Sequence, residues 1–127
     1  MLKQAVITGH GVGMLHKARI TNVIDGDTYD ALVDLDFNLT IKIRIRIMGI
    51  NCAEMKHRNQ AGLDAKNYAI KRLLNKKVVI DFYKYDSFGR CLCDIFLNDK
   101  NFAETLVQEG FAVDYLKAGG SYTSFFE

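Results

Sequence analysis

Four clusters of polar side chains carry the residue types that could do chemistry: Asp25-Gly26-Asp27-Thr28, Arg46, Asn51-Cys52-Ala53-Glu54 and Asp86-Ser87-Phe88-Gly89-Arg90. The Asp and Asn oxygens suit a hard cation, Glu54 is a candidate general base, and Arg46 and Arg90 supply guanidinium groups. Cleavage of a phosphodiester needs those parts. A cation and guanidinium groups offset charge on the phosphoryl oxygens, while a carboxylate activates water for in-line attack. Taken singly the clusters are weak signals, because Asp-Gly-Asp is ordinary turn chemistry. Their force lies in the elements that would bring them together.

Residues 41–47 alternate isoleucine with Lys42, Arg44 and Arg46, a period of two that predicts a half-buried strand with isoleucines inward and cations outward. Gly49 breaks that strand and a loop delivers Asn51, Cys52 and Glu54. Upstream, 14–24 and 28–36 read as strands joined through the Asp25-Gly26-Asp27 turn. Residues 61–74 change to a helical period, with Leu63, Ala65, Ala69, Ile70, Leu73 and Leu74 as the apolar stripe. Strands follow at 78–85 and 90–97 around the Asp86–Gly89 turn. A second helix at 101–109 shows Phe102, Leu106 and Val107 on one face and stops at Gly110. Three strands, a helix, two strands and a helix predict an α+β, mainly β architecture: a five-stranded OB-fold barrel with two packed helices.

The chain has 127 residues, 49% hydrophobic and 25% charged, which suits one soluble domain: an extension at 1–13 and a barrel domain at 14–127. A net charge of +2 is too small for a protein that coats nucleic acid but compatible with a local basic groove. No apolar run reaches membrane-spanning length, and no secretory leader is read at the N-terminus, so the expected location is cytoplasmic. Cys52, Cys91 and Cys93 are then expected to be reduced packing residues, since the Cys-x-Cys spacing lacks the loop geometry of structural zinc. His10, His16 and His57 stand isolated in the sequence.

The ordered series V-I-D-G-D-T, I-R-I-M-G-I-N-C-A-E, D-S-F-G-R and E-T-L-V-Q-E-G-F-A resembles the staphylococcal nuclease (thermonuclease-like) family from about residue 14 to about 113. The resemblance implies an OB barrel and a metal-dependent, largely sequence-nonspecific nuclease that breaks the P–O5′ bond and leaves 3′-phosphates. It also implies roles. Asp27 would bind a catalytic Ca²⁺ (or Mg²⁺ or Mn²⁺), with Asn51 and the Cys52 carbonyl as further ligands and Asp25 linked through water. Arg46 would stabilise the transition state, Glu54 would act as base, and Arg90 would grip the phosphate and assist the leaving group. Lys42 and Arg44 are left as solvated residues or part of a nucleic-acid-binding face.

Several positions depart from the family pattern. Asn51 stands where a second aspartate is common, which removes one negative charge and predicts weaker calcium binding. Ser87 and Phe88 stand where Lys and Tyr are frequent; Phe88, and with it Tyr115, could stack on a base. Beyond the second helix, 114–127 is short for the family's third helix, which is expected to be missing. Phe125 and Phe126, or a dimer contact, would then cover the apolar surface, so the expected state is a monomer or weak homodimer. The competing reading is an OB-fold nucleic-acid-binding module weakened in turnover through Asn51. Arg46, Glu54 and Arg90 together favour the enzyme, because a carboxylate facing a phosphate repels a ligand that is only to be bound.

Overall fold

The computed structural model describes residues 14–52 and 60–114. Its elements in chain order are β1 (Leu15–Asp25), β2 (Thr28–Asp34), β3 (Thr40–Ile47), β4 (Ile50–Cys52), α1 (Gln60–Leu73), β5 (Lys77–Tyr85), β6 (Cys91–Leu97), β7 (Lys100–Asn101), α2 (Phe102–Gln108) and β8 (Ala112–Asp114).

The main sheet runs β3-β2-β1-β5-β6-β7, and β3 also pairs with β6. That extra pairing is parallel, Ile45↔Cys91 to Ile47↔Cys93, and closes β1, β2, β3, β6 and β5 into a five-stranded mixed barrel of the OB type. Inward positions of successive strands fill the barrel with Ile20, Tyr29, Ala31, Ile45, Ile47, Ile80, Cys93 and Ile95. The predicted strands and both helices are present.

The alternation in β3 holds only in part. Ile45 and Ile47 are fully buried, but Ile41 is 47% exposed. β6 reaches β3 only from Ile45 onward, so the upstream half of β3 projects with β2 past the barrel wall. At the other end Arg46 points away from the interior, as the period requires, yet it is buried. β4 and the Asp25–Thr28 turn wall it in.

Two expectations are corrected. The segment after Gly49, read as a loop, forms β4 as far as Cys52 and pairs antiparallel with β8 through Ile50↔Asp114, Asn51↔Val113 and Cys52↔Ala112. In α1 the buried residues are Gly62, Ala65, Ala69 and Leu73, whereas Leu63 is 39% exposed. Small side chains let this helix approach the barrel closely, so its contact face follows size as much as hydrophobicity. Tyr68 stacks on Phe111 at 4.5 Å and lies 6.2 Å from Phe102, linking α1 to α2. Asn101 caps α2, its Oδ1 accepting from the Ala103 N–H at 2.9 Å. All three cysteines are buried and free.

Candidate active site

The β1–β2 turn brings Asp25 and Asp27 to one end of the barrel because Asp25 pairs with Thr28 across a two-residue connection. Gly26 is needed there for space. A Cβ on it would lie 2.8 Å from the Ala65 Cβ and 2.9 Å from the Cys52 Sγ. The turn is thus clamped between α1 and β4. The Tyr29 hydroxyl, inside the barrel, donates to the Gly26 carbonyl and fixes the turn from below.

Asp27 is buried and fully engaged. Its Oδ2 accepts from the Cys52 N–H at 2.9 Å, its Oδ1 from the Thr28 hydroxyl at 3.2 Å, and Arg46 Nη2 lies 3.6 Å from Oδ2. Arg46 enters from β3 directly opposite Thr28. Its Nη1 donates to the Ile47 carbonyl at 2.7 Å and its Nη2 to Asn51 Oδ1 at 2.6 Å. Asp25 Oδ1 accepts from the Asp27 N–H at 3.2 Å. Burial, then the adjacent Asp27 carboxylate, pushes the Asp25 carboxyl up to about 6.

Arg90 arrives on the far side from the β5–β6 turn. Asp86 organises it: Oδ1 accepts from the Phe88 and Arg90 N–H groups, both at 2.9 Å, and Oδ2 pairs with Arg90 Nε at 2.7 Å. Burial works against the Asp86 charge, but those backbone and guanidinium donors hold its carboxyl below the usual range. The Arg90 guanidinium carbon sits 5.3 Å from the centre of the exposed Phe88 ring.

Asp25, Asp27, Thr28, Arg44, Arg46, Asn51, Cys52, Phe88 and Arg90 line one open cleft of about 710 Å³. Of the residues singled out from sequence, Asp27, Arg46, Asn51, Cys52, Phe88 and Arg90 therefore meet at one place. Glu54 and Tyr115 lie outside the described residues, as do His10 and His57. Sequence reading missed Asp86 as the holder of Arg90 and Thr28 as a partner of Asp27. The four-residue step between Asp86 and Arg90 around a Gly turn was the available signal.

The Asp25 and Asp27 carboxylates and the Asn51 amide oxygen line the same cleft and make an all-oxygen set, which fits Ca²⁺, Mg²⁺ or Mn²⁺. The Cys52 thiol takes no part in it: Sγ faces Gly26, and burial pushes the thiol up to about 12. No group of three or more His, Cys, Asp or Glu side chains able to hold a metal occurs among the described residues, the third oxygen here being an amide.

A closed OB-type barrel thus carries acidic and guanidinium groups in a single end cleft. The family described as Staphylococcal nuclease homologue matches residues 44–124, and the chain belongs to that family. An uncharacterized protein of Methanocaldococcus jannaschii is 31% identical over 126 residues, covering 77% of this chain and 58% of its relative. The thermonuclease of Staphylococcus intermedius is 31% identical over 99 residues, covering 73% of this chain and 56% of the relative. A staphylococcal-like nuclease of Arabidopsis thaliana is 33% identical over 78 residues, 61% of this chain and 24% of the plant protein. The chain thus spans little more than half the length of the first two relatives and about a quarter of the third.

Proposed function

We propose that the cleft hydrolyses nucleic-acid phosphodiester bonds with a bound divalent cation, Ca²⁺ or else Mg²⁺ or Mn²⁺, and with little regard for sequence. The observation that carries this reading is the convergence of Arg46 and Arg90, from separate strands and loops, on the cleft that holds Asp27 and Asn51. Two guanidinium groups in one cleft match the several anionic oxygens of a phosphodiester.

Asp27 and Asn51, with the Cys52 carbonyl, would hold the cation. When bound, it offsets phosphoryl charge and favours ionised water. Glu54, by family resemblance, takes the proton from the attacking water as the new O–P bond forms. Arg46 donates to the equatorial oxygens, where charge grows in the transition state. Arg90, by the same resemblance, serves the leaving side, where the P–O5′ bond breaks as the O–P bond forms and the departing 5′ oxygen takes a proton from solvent water. The products are a 3′-phosphate and a 5′-hydroxyl.

One observation favours a second reading, a binding module with little turnover. Asn51 brings no charge, and its oxygen is already bonded to Arg46. End-labelled single- and double-stranded DNA and RNA, incubated with each metal or with EDTA, separate the two. The nuclease reading expects metal-dependent fragments whose 3′ ends are phosphorylated. Retained binding without fragments under every metal would leave the binding module.

A further inference from the structure

The proposed chemistry uses Arg46 and leaves the two cations before it on β3 without a task. Lys42, Arg44 and Arg46 lie on the same outward face, each two residues from the next and so about 7 Å apart. Arg44 lines the cleft beside Phe88 and Arg90, and its side chain is 51% exposed. Its Nε and Nη2 pair with Asp30 at 2.8 and 3.3 Å. That pair sets the direction of the guanidinium and uses no proton of Nη1.

The face continues past the cleft. Opposite Lys42 on β2 stands Leu32, opposite Leu32 on β1 stands Arg19, and opposite Arg19 on β5 stands Lys77. Arg19, Leu32 and Lys77, with Lys17, line a second groove of about 970 Å³ that reaches Phe37 at the tip of the β2–β3 hairpin. Phe37 is 91% exposed and held in a left-handed conformation between Asp36 and Asn38, which share it. The groove also carries Asp34, Asp36 and Asp99, so its cations are matched by carboxylates, while the β3 face carries Lys42 and Arg44. Asp30 pairs with Arg44, and Asp34 Oδ1 accepts from the Asp36 N–H at 2.8 Å within the turn.

The backbone of β3 adds donors. The Leu35 N–H bonds to the Leu39 carbonyl, so antiparallel alternation turns the N–H groups of Thr40, Lys42 and Arg44 away from β2. β6 pairs with β3 only from Ile45, so among the described residues those N–H groups, together with the carbonyls of the same residues, lie on a strand edge that β6 does not pair.

We propose that β3 is the track of a single-stranded nucleic acid leaving the cleft. Arg44 and Lys42 carry the phosphates next to the one held at Arg46, and the Arg19–Lys77 groove with Phe37 receives the strand farther on. A single strand fits because the cations of β3 form one line along one strand, and the exposed Phe37 ring at the end of the groove suits an unstacked base. The inference rests on the nuclease reading of the cleft and names residues that reading does not assign.

Binding in EDTA tests it without requiring cleavage. Fluorescein-labelled oligothymidylates of tetranucleotide and dodecanucleotide length are titrated with the full chain, with Lys42→Gln, Arg44→Gln, Arg44→Lys, and with Lys71→Gln on the exposed face of α1 as control. The dodecanucleotide is expected to bind more tightly than the tetranucleotide. Lys42→Gln and Arg44→Gln should each weaken it and flatten the log affinity against log salt slope by about 0.7. Arg44→Lys should restore most of that slope, which a merely structural loss of the Asp30 pair would not do. Dodecanucleotide affinity and slope unchanged in both glutamine variants would overturn the track. So would a duplex that binds as tightly and loses as much. If cleavage fails under every metal while the slopes change as expected, the nuclease reading falls and the track stands.

Discussion

Arg46 divides its guanidinium between the Ile47 carbonyl and Asn51, with Asp27 Oδ2 at 3.6 Å, so its position is set before any substrate arrives. Such preorganised donors act mainly on the transition state, and Arg46→Gln is expected to lower the cleavage rate about 10²–10³-fold in single-turnover assays. Asn51→Asp adds the missing carboxylate charge and should tighten Ca²⁺ binding, as read by isothermal titration calorimetry. Asp86 supplies the pH prediction. Its folded-state carboxyl lies below its ordinary value of 3.8, so it contributes stability that is complete above that value and lost as pH falls through the lowered one. Urea midpoints of wild type and Asp86→Asn should therefore converge as pH is taken from neutral to strongly acid. At this scale the meeting of Asp27, Arg46, Asn51 and Arg90 in one cleft was legible only from their motifs taken together and in order, since each alone is ordinary turn or strand chemistry. Asp86 was not, since an aspartate opening a turn is common and its bond to Arg90 depends on the turn's geometry. Arg44 pairing with Asp30 was hidden too, because a cross-strand pair needs the register.

Among the elements, the β1–β2 turn is the one most constrained by its neighbours. Gly26→Ala would force a methyl group against Ala65 and Cys52, and overpacking of this kind costs about 1–3 kcal/mol in urea unfolding. Gly89 offers a contrast. A Cβ there meets nothing within 4 Å, but φ is +80°, so Gly89→Ala should cost about 1–2 kcal/mol through the backbone alone. The first change would also shift Asp25 and Asp27, so its effect on cleavage should exceed its effect on stability. Strands and helices were readable because their periods are long enough to register. β4 and β8 were not: Ile50–Cys52 and Ala112–Asp114 are three residues each and become strands only by finding one another. Gly62 in the buried face of α1 escaped for a related reason, since a glycine carries no hydrophobic signal.

For the molecule as a whole, closure of the barrel assembles the cleft. The parallel β3–β6 contact sets Arg46 beside Leu92 and so holds Arg46 and the Arg90 turn in one frame. Buried Ile45, Ile47, Cys93 and Ile95 form that wall. Fold class followed from the order of periods, but the projecting β2–β3 hairpin with exposed Phe37 and Leu39 did not, because alternation alone cannot say where a strand leaves the barrel. Among the described residues no helix is long and apolar enough to cross a membrane. The central claim is that this cleft cuts nucleic acid, and the most direct test is the Ca²⁺-dependent cleavage rate of labelled single-stranded DNA by wild type beside Glu54→Gln. Cleavage that stops in EDTA and collapses in Glu54→Gln is the predicted result. A wild-type protein that binds the strand and leaves it intact under Ca²⁺, Mg²⁺ and Mn²⁺ would contradict it.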